Sequence, residues 1–178
     1  MKKAFLLFTF ILVTSNLTHS QKVKFGFKAG ANFSDFRGDL ETKTQLGYHF
    51  GVISEIKLLQ NLTLQPELLY STQGADVNST IIKNINYSYV TVPVLAKFYV
   101  ITDRLSLDVG PQFSFLIDDN LKNTFETNSF DFAAIGGIGL NFTKHVFAQA
   151  RYVVGLTDTT KDAEIRNKVI QVSLGFTF

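Results

Sequence analysis

The last ten residues of the chain alternate between apolar and small or polar side chains, and the segment ends on an aromatic residue. Residues 169–178 read VIQVSLGFTF. Successive side chains of a β-strand point to opposite faces, so this period of two predicts a strand with one apolar face and one polar face. An alternating strand of about ten residues that ends on an aromatic residue is typical of the closing strand of a membrane barrel.

The N-terminus has the pattern of an export signal. Lys2 and Lys3 precede an apolar stretch at 4–13, and the polar segment 14–20 places Thr18 and Ser20 at positions −3 and −1 of a cleavage site. The apolar stretch is too short for a typical transmembrane helix, which disfavours the alternative of a helical anchor. We therefore predict a signal peptide at 1–20 and one β-barrel domain at 21–178.

Charge and cysteine content exclude several classes of protein. The chain has 17 Lys+Arg and 15 Asp+Glu, and loss of Lys2 and Lys3 with the signal leaves equal numbers of each sign. No clustered basic face indicates a nucleic-acid partner. The absence of cysteine excludes a disulfide framework, a thiolate metal site and a lipid-modified N-terminal cysteine.

Beyond residue 20, alternating stretches and breaks repeat eight times, as in membrane barrels. The breaks alternate in length: short at 59–61, 101–104 and 143–145, long at 34–45, 74–86, 118–129 and 157–167. This pattern predicts an all-β, eight-stranded antiparallel up-and-down transmembrane β-barrel with its short turns in the periplasm. An even number of strands closes the sheet and leaves no open edge in lipid. The predicted strands are 23–33, 46–58, 62–73, 87–100, 105–117, 130–142, 146–156 and 168–178.

Ionisable residues recur on the polar face of nearly every predicted strand. A lysine or arginine on the lipid face at the bilayer midplane costs about 2–4 kcal/mol, so these side chains are expected inside the barrel. An eight-stranded barrel is too narrow for an open channel, and the buried charges should pair with one another. Lys97 is placed near Glu67 and Asp108 on the flanking strands. The predicted lumen network is Lys24, Lys28, His49, Glu55, Lys57, Glu67, Lys97, Asp108, Asp131 and Arg151. A soluble lipocalin-like barrel is disfavoured because it would place its apolar residues inside.

Aromatic residues cluster near the ends of the predicted strands, as the two interfacial girdles of a membrane barrel require. The alternative is that phenylalanine merely suits strands. Phe176 and Phe178 are predicted to form an assembly signal for the barrel-assembly machinery. The predicted periplasmic girdle is Phe25, Tyr99, Phe142, Phe176 and Phe178, and the outer girdle is Phe33, Tyr48, Tyr70, Phe115, Phe130 and Tyr152.

Four segments resemble the PorT-like outer-membrane β-barrel family of Gram-negative bacteria. They read GFKAGANFS at 26–34, LQPELLYS at 64–71, YVTVPVLAK at 89–97 and RYVVGLTD at 151–158. The resemblance implies an integral outer-membrane barrel. The family's namesake takes part in a protein secretion and gliding apparatus, whereas most members are small barrels without an assigned role. Pro66 and Pro93 fall inside predicted strands, where bulges or local distortions are expected.

The sequence carries little sign of catalysis. The glycine run AIGGIG at 134–139 is similar to a phosphate-binding loop, but that motif requires a following helix and here the strand continues. His49 could act as a general base beside Glu55 or Glu67, yet no nucleophile motif accompanies it, so a hydrogen-bonded lumen residue is the preferred interpretation. No spacing suits a metal site. We therefore predict no catalytic residue, cofactor or metal.

These patterns predict an integral outer-membrane protein with a side-chain-filled polar lumen and a structural or interaction role through its extracellular loops. A component of a secretion or gliding apparatus is the first alternative, as the resemblance implies. A lipid-modifying or proteolytic enzyme is the second. The predicted partners are outer-membrane lipid, the barrel-assembly machinery, and an unidentified secretion-system or extracellular protein.

Overall fold

The chain forms a closed barrel of eight antiparallel strands, each paired with the next along the sequence and the last paired with the first. A computed structural model describes residues 23–37, 42–77, 85–119, 130–156 and 166–178. The predicted fold class is confirmed, including the number and order of strands. The strands are β1 (Val23–Arg37), β2 (Thr42–Leu59), β3 (Leu62–Val77), β4 (Ile85–Ile101), β5 (Leu105–Asp119), β6 (Phe130–Asn141), β7 (Val146–Gly155) and β8 (Arg166–Thr177).

The period-two pattern divides each strand into an outward apolar face and an inward, largely polar face. Phe25 and Leu174 are each 63% exposed on the outside, whereas Lys28 is 1% exposed and Asn32 is fully buried inside. Lipid offers no hydrogen bonds, so a surface of this kind is stable only when every backbone group is paired within a closed sheet. In the described ranges, no helix is long and apolar enough to cross a bilayer.

The strands are longer at one end of the barrel than the alternation of side chains predicts. β2 has 18 residues and β4 has 17, whereas β7 has 10, and about 9–11 residues suffice to cross a bilayer. The segments predicted as the long breaks 34–45 and 74–86 therefore lie partly in strands. Backbone pairing continues there without side-chain alternation because ladder hydrogen bonds do not depend on apolar side chains. The rest of the predicted loops and the predicted signal peptide lie outside the described residues.

The prolines leave the strand register unchanged, so no bulge forms at Pro66 or Pro93, although the ladder of β3 with β4 omits the pairs between Pro66–Val94 and Leu69–Thr91. The pairing of β2 with β3 passes from Ile53–Glu67 to Ile56–Leu64 without a register shift, and Pro93 pairs in register with Gln112. A proline removes one hydrogen-bond donor but keeps a φ angle that an extended strand tolerates. The register shifts lie elsewhere, between Thr44 and His49, Lys57 and Leu59, Ser88 and Tyr89, and Tyr99 and Ile101.

The three short turns close the other end of the barrel. In the turn between β4 and β5, Asp103 has a φ of 56°, a left-handed conformation that aspartate tolerates better than most residues. The Arg104 amide donates to the Ile101 carbonyl at 2.9 Å. In the turn between β6 and β7, the Thr143 hydroxyl accepts the amides of His145 and Val146 at 3.1 and 2.9 Å. These local bonds satisfy the backbone where the ladder stops.

Candidate functional site: the polar lumen and its mouth

A buried ion-pair cluster fills the middle of the barrel. Glu67 on β3 contacts two cations, with its Oε2 atom 2.8 Å from the Lys28 ammonium on β1. Arg151 on β7 donates to both oxygens of the same carboxylate, at 2.8 and 2.5 Å. All three side chains are fully buried. A single carboxylate therefore links three strands across the lumen.

Neutral side chains extend this cluster towards a second carboxylate. The Arg151 guanidinium donates to the Gln149 amide oxygen at 2.7 Å, and the Gln149 amide nitrogen donates to Asp108 at 2.8 Å. Ser106 donates to the other oxygen of Asp108 at 2.6 Å. Gln65, fully buried, donates to Glu67 at 2.5 Å. Asp108 is thus held by neutral donors, and Glu67 gains a neutral donor beyond its two cations, as buried charges require.

The ion pair of Lys97 is with a carboxylate on β2. Its ammonium donates to Glu55 at 2.7 Å and lies 5.2 Å from the centre of the Phe147 ring. Asp108 is the register partner of Lys97 on β5, but Glu67 is held by Lys28 and Arg151 instead. The prediction placed Lys97 near Glu67 and Asp108, and the ion pair that it forms is with Glu55. The lumen is narrow enough for a long lysine side chain to reach β2 across β3.

His49 lies in a hydrogen-bonded set of three residues from three strands. Its Nδ1 atom is 2.6 Å from the Asn32 amide oxygen, and its Nε2 atom is 2.7 Å from the Ser173 hydroxyl. The Asn32 amide nitrogen donates to the Ser71 hydroxyl and the Thr72 carbonyl. The order serine, histidine, asparagine is that of a hydrolytic triad. Ser173 is 1% exposed, so its hydroxyl is closed to solvent in this structure.

The remaining predicted lumen residues lie near the two ends of the barrel. Asp131 is buried near the outer end of β6, where its register partner is Ser114. Lys57 forms an ion pair of 2.9 Å with Asp103, and both side chains are substantially exposed. The Lys24 ammonium donates to the Lys144 carbonyl at 3.1 Å. Lys24, Lys57 and Asp131 therefore lie away from the middle of the lumen.

The predicted network comprises ionisable residues only, whereas the lumen also has neutral and apolar parts. The neutral polar residues Asn32, Gln65, Gln149 and Ser173 share the phase of the charged residues, so the period of two places them on the inner face. An apolar cluster also lies inside and consists of Leu95, Ala133, Ile135, Val153 and Val169. Its members are in phase with Lys97, Asp131, Arg151 and Gln171 on their own strands, and only the closed barrel shows that they pack together.

Tyr99 belongs to the lumen and not to the predicted periplasmic girdle. It lines an interior cavity together with Lys24 and Glu55, and its ring centre lies 5.8 Å from the Lys97 ammonium. Tyr99 is two residues from Lys97, so the strand period places both on the inner face. The other members of the predicted periplasmic girdle have exposed side chains at the short-turn end of the barrel: Phe25, Phe142, Phe176 and Phe178.

The mouth cavity is a space of about 590 Å³ at the short-turn end of the barrel. Its walls come from the ends of five strands, β1 to β4 and β6, and from two of the short turns. The lining is rich in charged, hydroxyl and amide groups. It consists of Lys24, Glu55, Lys57, Thr63, Tyr99, Thr102, Asp103, Arg104, Asn141, Phe142, Thr143 and Lys144.

The C-terminal aromatic residues pack beside β1 at this same end. The Phe176 ring stacks on Phe27 with centres 5.8 Å apart, and Phe178 meets Phe176 edge-on at the same distance. The Phe178 amide donates to the Phe25 carbonyl at 2.8 Å. These contacts join the last strand to the first.

Comparisons with known proteins agree with this architecture. A family profile described as "Outer membrane protein beta-barrel domain" matches residues 15–161. No curated protein matches the sequence. The profile supports the outer-membrane barrel implied by the resemblance, without reaching the narrower PorT-like group.

Three crystal structures of outer-membrane barrels share the fold. Neisserial surface protein A has a TM-score of 0.62 at 12% identity, with 88% of this chain and 99% of that chain covered. Ail, the attachment invasion locus protein of Yersinia pestis, has a TM-score of 0.56 at 14% identity, with 88% of this chain and 99% of that chain covered. OprG from Pseudomonas aeruginosa has 0.53 at 11% identity, with 89% and 95% covered. At these identities the likeness establishes the fold alone.

Proposed function

The chain belongs to the outer membrane protein beta-barrel domain family and is an integral protein of the bacterial outer membrane, and from this we propose that it is a closed barrel that binds a partner through its outer hairpins. The observation that carries the proposal is the cluster of Glu67 with Lys28 and Arg151, which spans the lumen with fully buried side chains. A solute could pass only if these ion pairs separated, which would leave uncompensated buried charges. The function is therefore assigned to the ends of the barrel.

The outer hairpins supply a surface suited to binding. β2 and β3 are paired as far as Thr42–Val77, and β3 and β4 as far as Ala75–Ile85. Because these strands exceed the length that a bilayer requires, their paired ends supply a rigid base for the connecting segments. A rigid base lowers the ordering cost of binding.

The charge of the outer segments indicates the kind of partner. Acidic residues outnumber basic residues in each of the segments 34–45, 118–129 and 157–167. Ail, one of the structural relatives, was crystallised with the heparin analogue sucrose octasulfate. The acidic balance of this chain favours a basic protein surface over a polysulfated ligand of that kind.

Two measurements test the proposal. The first is liposome swelling with the purified protein, in which small sugars should not enter. The second is photo-crosslinking in cells from a probe at Asn120 in the predicted outer segment 118–129, with a probe at the lipid-exposed Leu174 as the control. We expect one protein to be crosslinked from Asn120 and none from Leu174. Sugar entry, or the absence of any crosslink from outer segments, would contradict the proposal.

The same experiment separates the two alternatives. A component of a secretion or gliding apparatus should be crosslinked to periplasmic proteins from the exposed Asn61 in the turn between β2 and β3. A lipid-modifying or proteolytic enzyme should instead react with a hydrolase probe. Crosslinks confined to Asn61 would favour the secretion role over the outer-surface role.

A further inference from the structure

The mouth cavity at the short-turn end carries an excess of positive charge. Its carboxylates are already engaged, since Glu55 accepts from Lys97 at 2.7 Å and Asp103 pairs with Lys57 at 2.9 Å. Three other cations line the same space: Lys24, Arg104 and Lys144. Within the described ranges, none of these three forms an ion pair with a carboxylate, so the cavity presents unneutralised cations.

The cavity is closed on its inner side, which makes it a pocket and not the entrance of a channel. Beyond Glu55 lie Lys97 and Asp108, both fully buried, followed by the ion pairs of Glu67. The volume of about 590 Å³ falls within the range of small-molecule sites, about 300–1,000 Å³. A ligand that enters from the short-turn end must leave by the same route.

The neutral lining suits a ligand with a polar organic part. Thr63, Thr102 and Thr143 supply hydroxyl groups, and Asn141 supplies an amide whose nitrogen is 3.4 Å from the Tyr99 hydroxyl. Guanidinium and ammonium groups bind both carboxylates and phosphates. Three cations without a carboxylate partner are better matched in charge by a phosphate dianion than by a single carboxylate.

We propose that this pocket binds a small organic phosphate, with the phosphate group between Lys24, Arg104 and Lys144 and its hydroxyl-bearing part against the threonine side chains. The short-turn end of such barrels faces the periplasm, so the ligand is either a free solute of the periplasm or the headgroup of an inner-leaflet phospholipid. This inference goes beyond the proposed role of the outer hairpins and does not depend on it.

Titration calorimetry of the purified barrel in phosphatidylcholine nanodiscs tests the proposal, with glycerol 3-phosphate as the probe and glycerol as the neutral comparison. We expect saturable binding of glycerol 3-phosphate and none of glycerol. Arg104→Gln and Lys144→Gln should each weaken binding by about tenfold or more, the loss expected for a hydrogen bond to a charged group. Lys168→Gln, at the opposite end of the barrel on β8, is the matched control and should bind as wild type.

The result that overturns the proposal is no saturable binding at millimolar glycerol 3-phosphate, or equal affinity in wild type and Arg104→Gln. The two sources of the phosphate are separated by native mass spectrometry of protein extracted from phosphatidylglycerol-containing membranes. Retained phosphatidylglycerol that glycerol 3-phosphate displaces, and that Arg104→Gln fails to retain, identifies the headgroup as the ligand. Saturable binding of glycerol 3-phosphate without retained lipid identifies a free solute.

Discussion

Arg151 on β7 donates two hydrogen bonds to Glu67 on β3 across the lumen, at 2.8 and 2.5 Å, although the residues are 84 positions apart in sequence. Bidentate arginine–carboxylate pairs of this kind are among the strong hydrogen-bonded pairs in proteins. Both side chains are fully buried. The pair therefore ties opposite walls of the barrel together and closes its interior.

Removal of this carboxylate should strongly destabilise the barrel. Glu67→Ala leaves Lys28 and Arg151 as uncompensated buried cations, which should lower the free energy of unfolding by about 3–5 kcal/mol. Asp103→Asn is the control, because its ion pair with Lys57 is solvent-exposed and should be worth at most about 1 kcal/mol. Urea titration in lipid bilayers, followed by heat-modifiable gel mobility, measures both. Equal effects of the two substitutions would contradict a buried cluster.

Replacement of the whole cluster should destabilise the barrel far less than removal of the Glu67 carboxylate alone. The variant Lys28→Met, Glu67→Leu, Arg151→Met removes both signs of charge together, and such replacements of buried ion pairs are often neutral or stabilising. We expect its unfolding midpoint to lie closer to wild type than that of Glu67→Ala. A triple variant less stable than Glu67→Ala would mean that the cluster is needed for packing and not for charge balance.

One glycine on the inner face and one on the outer face offer a matched pair of substitutions. A Cβ atom at Gly30 would meet the Val172 carbonyl oxygen and lie 2.8 Å from the His49 ring, whereas at Gly136 it would meet no atom within 4 Å. Gly30→Ala should therefore cost about 1–3 kcal/mol through overpacking. Gly136→Ala should be neutral or slightly stabilising, by up to about 1 kcal/mol, because alanine restricts the unfolded chain. The same urea titration compares them, and a harmless Gly30→Ala would mean that β1 and β8 are less closely apposed.

Val94 and Lys97 test which face of β4 meets lipid. Val94→Lys places a charge on the lipid face near the middle of the strand and should cost about 2–4 kcal/mol. Lys97→Met removes the partner of Glu55, whose side chain is 12% exposed beside the mouth cavity and can recover water, so its effect should be smaller. Folding yield into bilayers measures both. If Val94→Lys folds like wild type while Lys97→Met gains stability, the assignment of the faces is wrong.

The set of Ser173, His49 and Asn32 should stabilise the barrel and not catalyse a reaction. Ser173→Ala removes the hydroxyl from His49 and should cost about 1–3 kcal/mol, the price of an unsatisfied buried group. Because Ser173 is 1% exposed, a fluorophosphonate probe should not label the folded wild-type protein. Labelling of wild type that is lost in Ser173→Ala would favour the enzyme alternative.

The C-terminal aromatic residues should affect assembly in cells more than stability. Phe178 is 67% exposed, so Phe178→Ala removes little buried area and should change bilayer stability by less than about 1 kcal/mol. If the barrel-assembly machinery reads this residue, Phe178→Ala should lower the folded fraction in cells while refolding in vitro stays normal. Leu174→Ala, on the same face of β8, is the control. Equal assembly of both variants in cells would contradict an assembly signal.

The strands and their faces could be read from the sequence because the period of two is a local property. Each strand reports its lipid face through alternation alone, and lipid penalises a misplaced charge strongly. The wrong details arose where that signal ends. β1 continues to Arg37 and β2 begins at Thr42, and pairing there depends on the neighbouring strand and not on alternating side chains. The effect of Pro66 and Pro93 on the register likewise depends on the neighbouring strand, which the local sequence does not describe.

The identity of each charged residue's partner was beyond the sequence, because it depends on distances across the closed lumen. A strand pattern places Lys97, Glu67 and Glu55 on the inner face without stating which carboxylate the ammonium reaches. Closure of the barrel places β7 across the lumen from β3, so Glu67 pairs with Arg151 and Lys28, and Lys97 pairs with Glu55. The mouth cavity arises in the same way, since its walls come from strand ends and turns that are far apart in the chain. Alternation along a strand records its environment, whereas pairing and cavities are properties of the closed sheet.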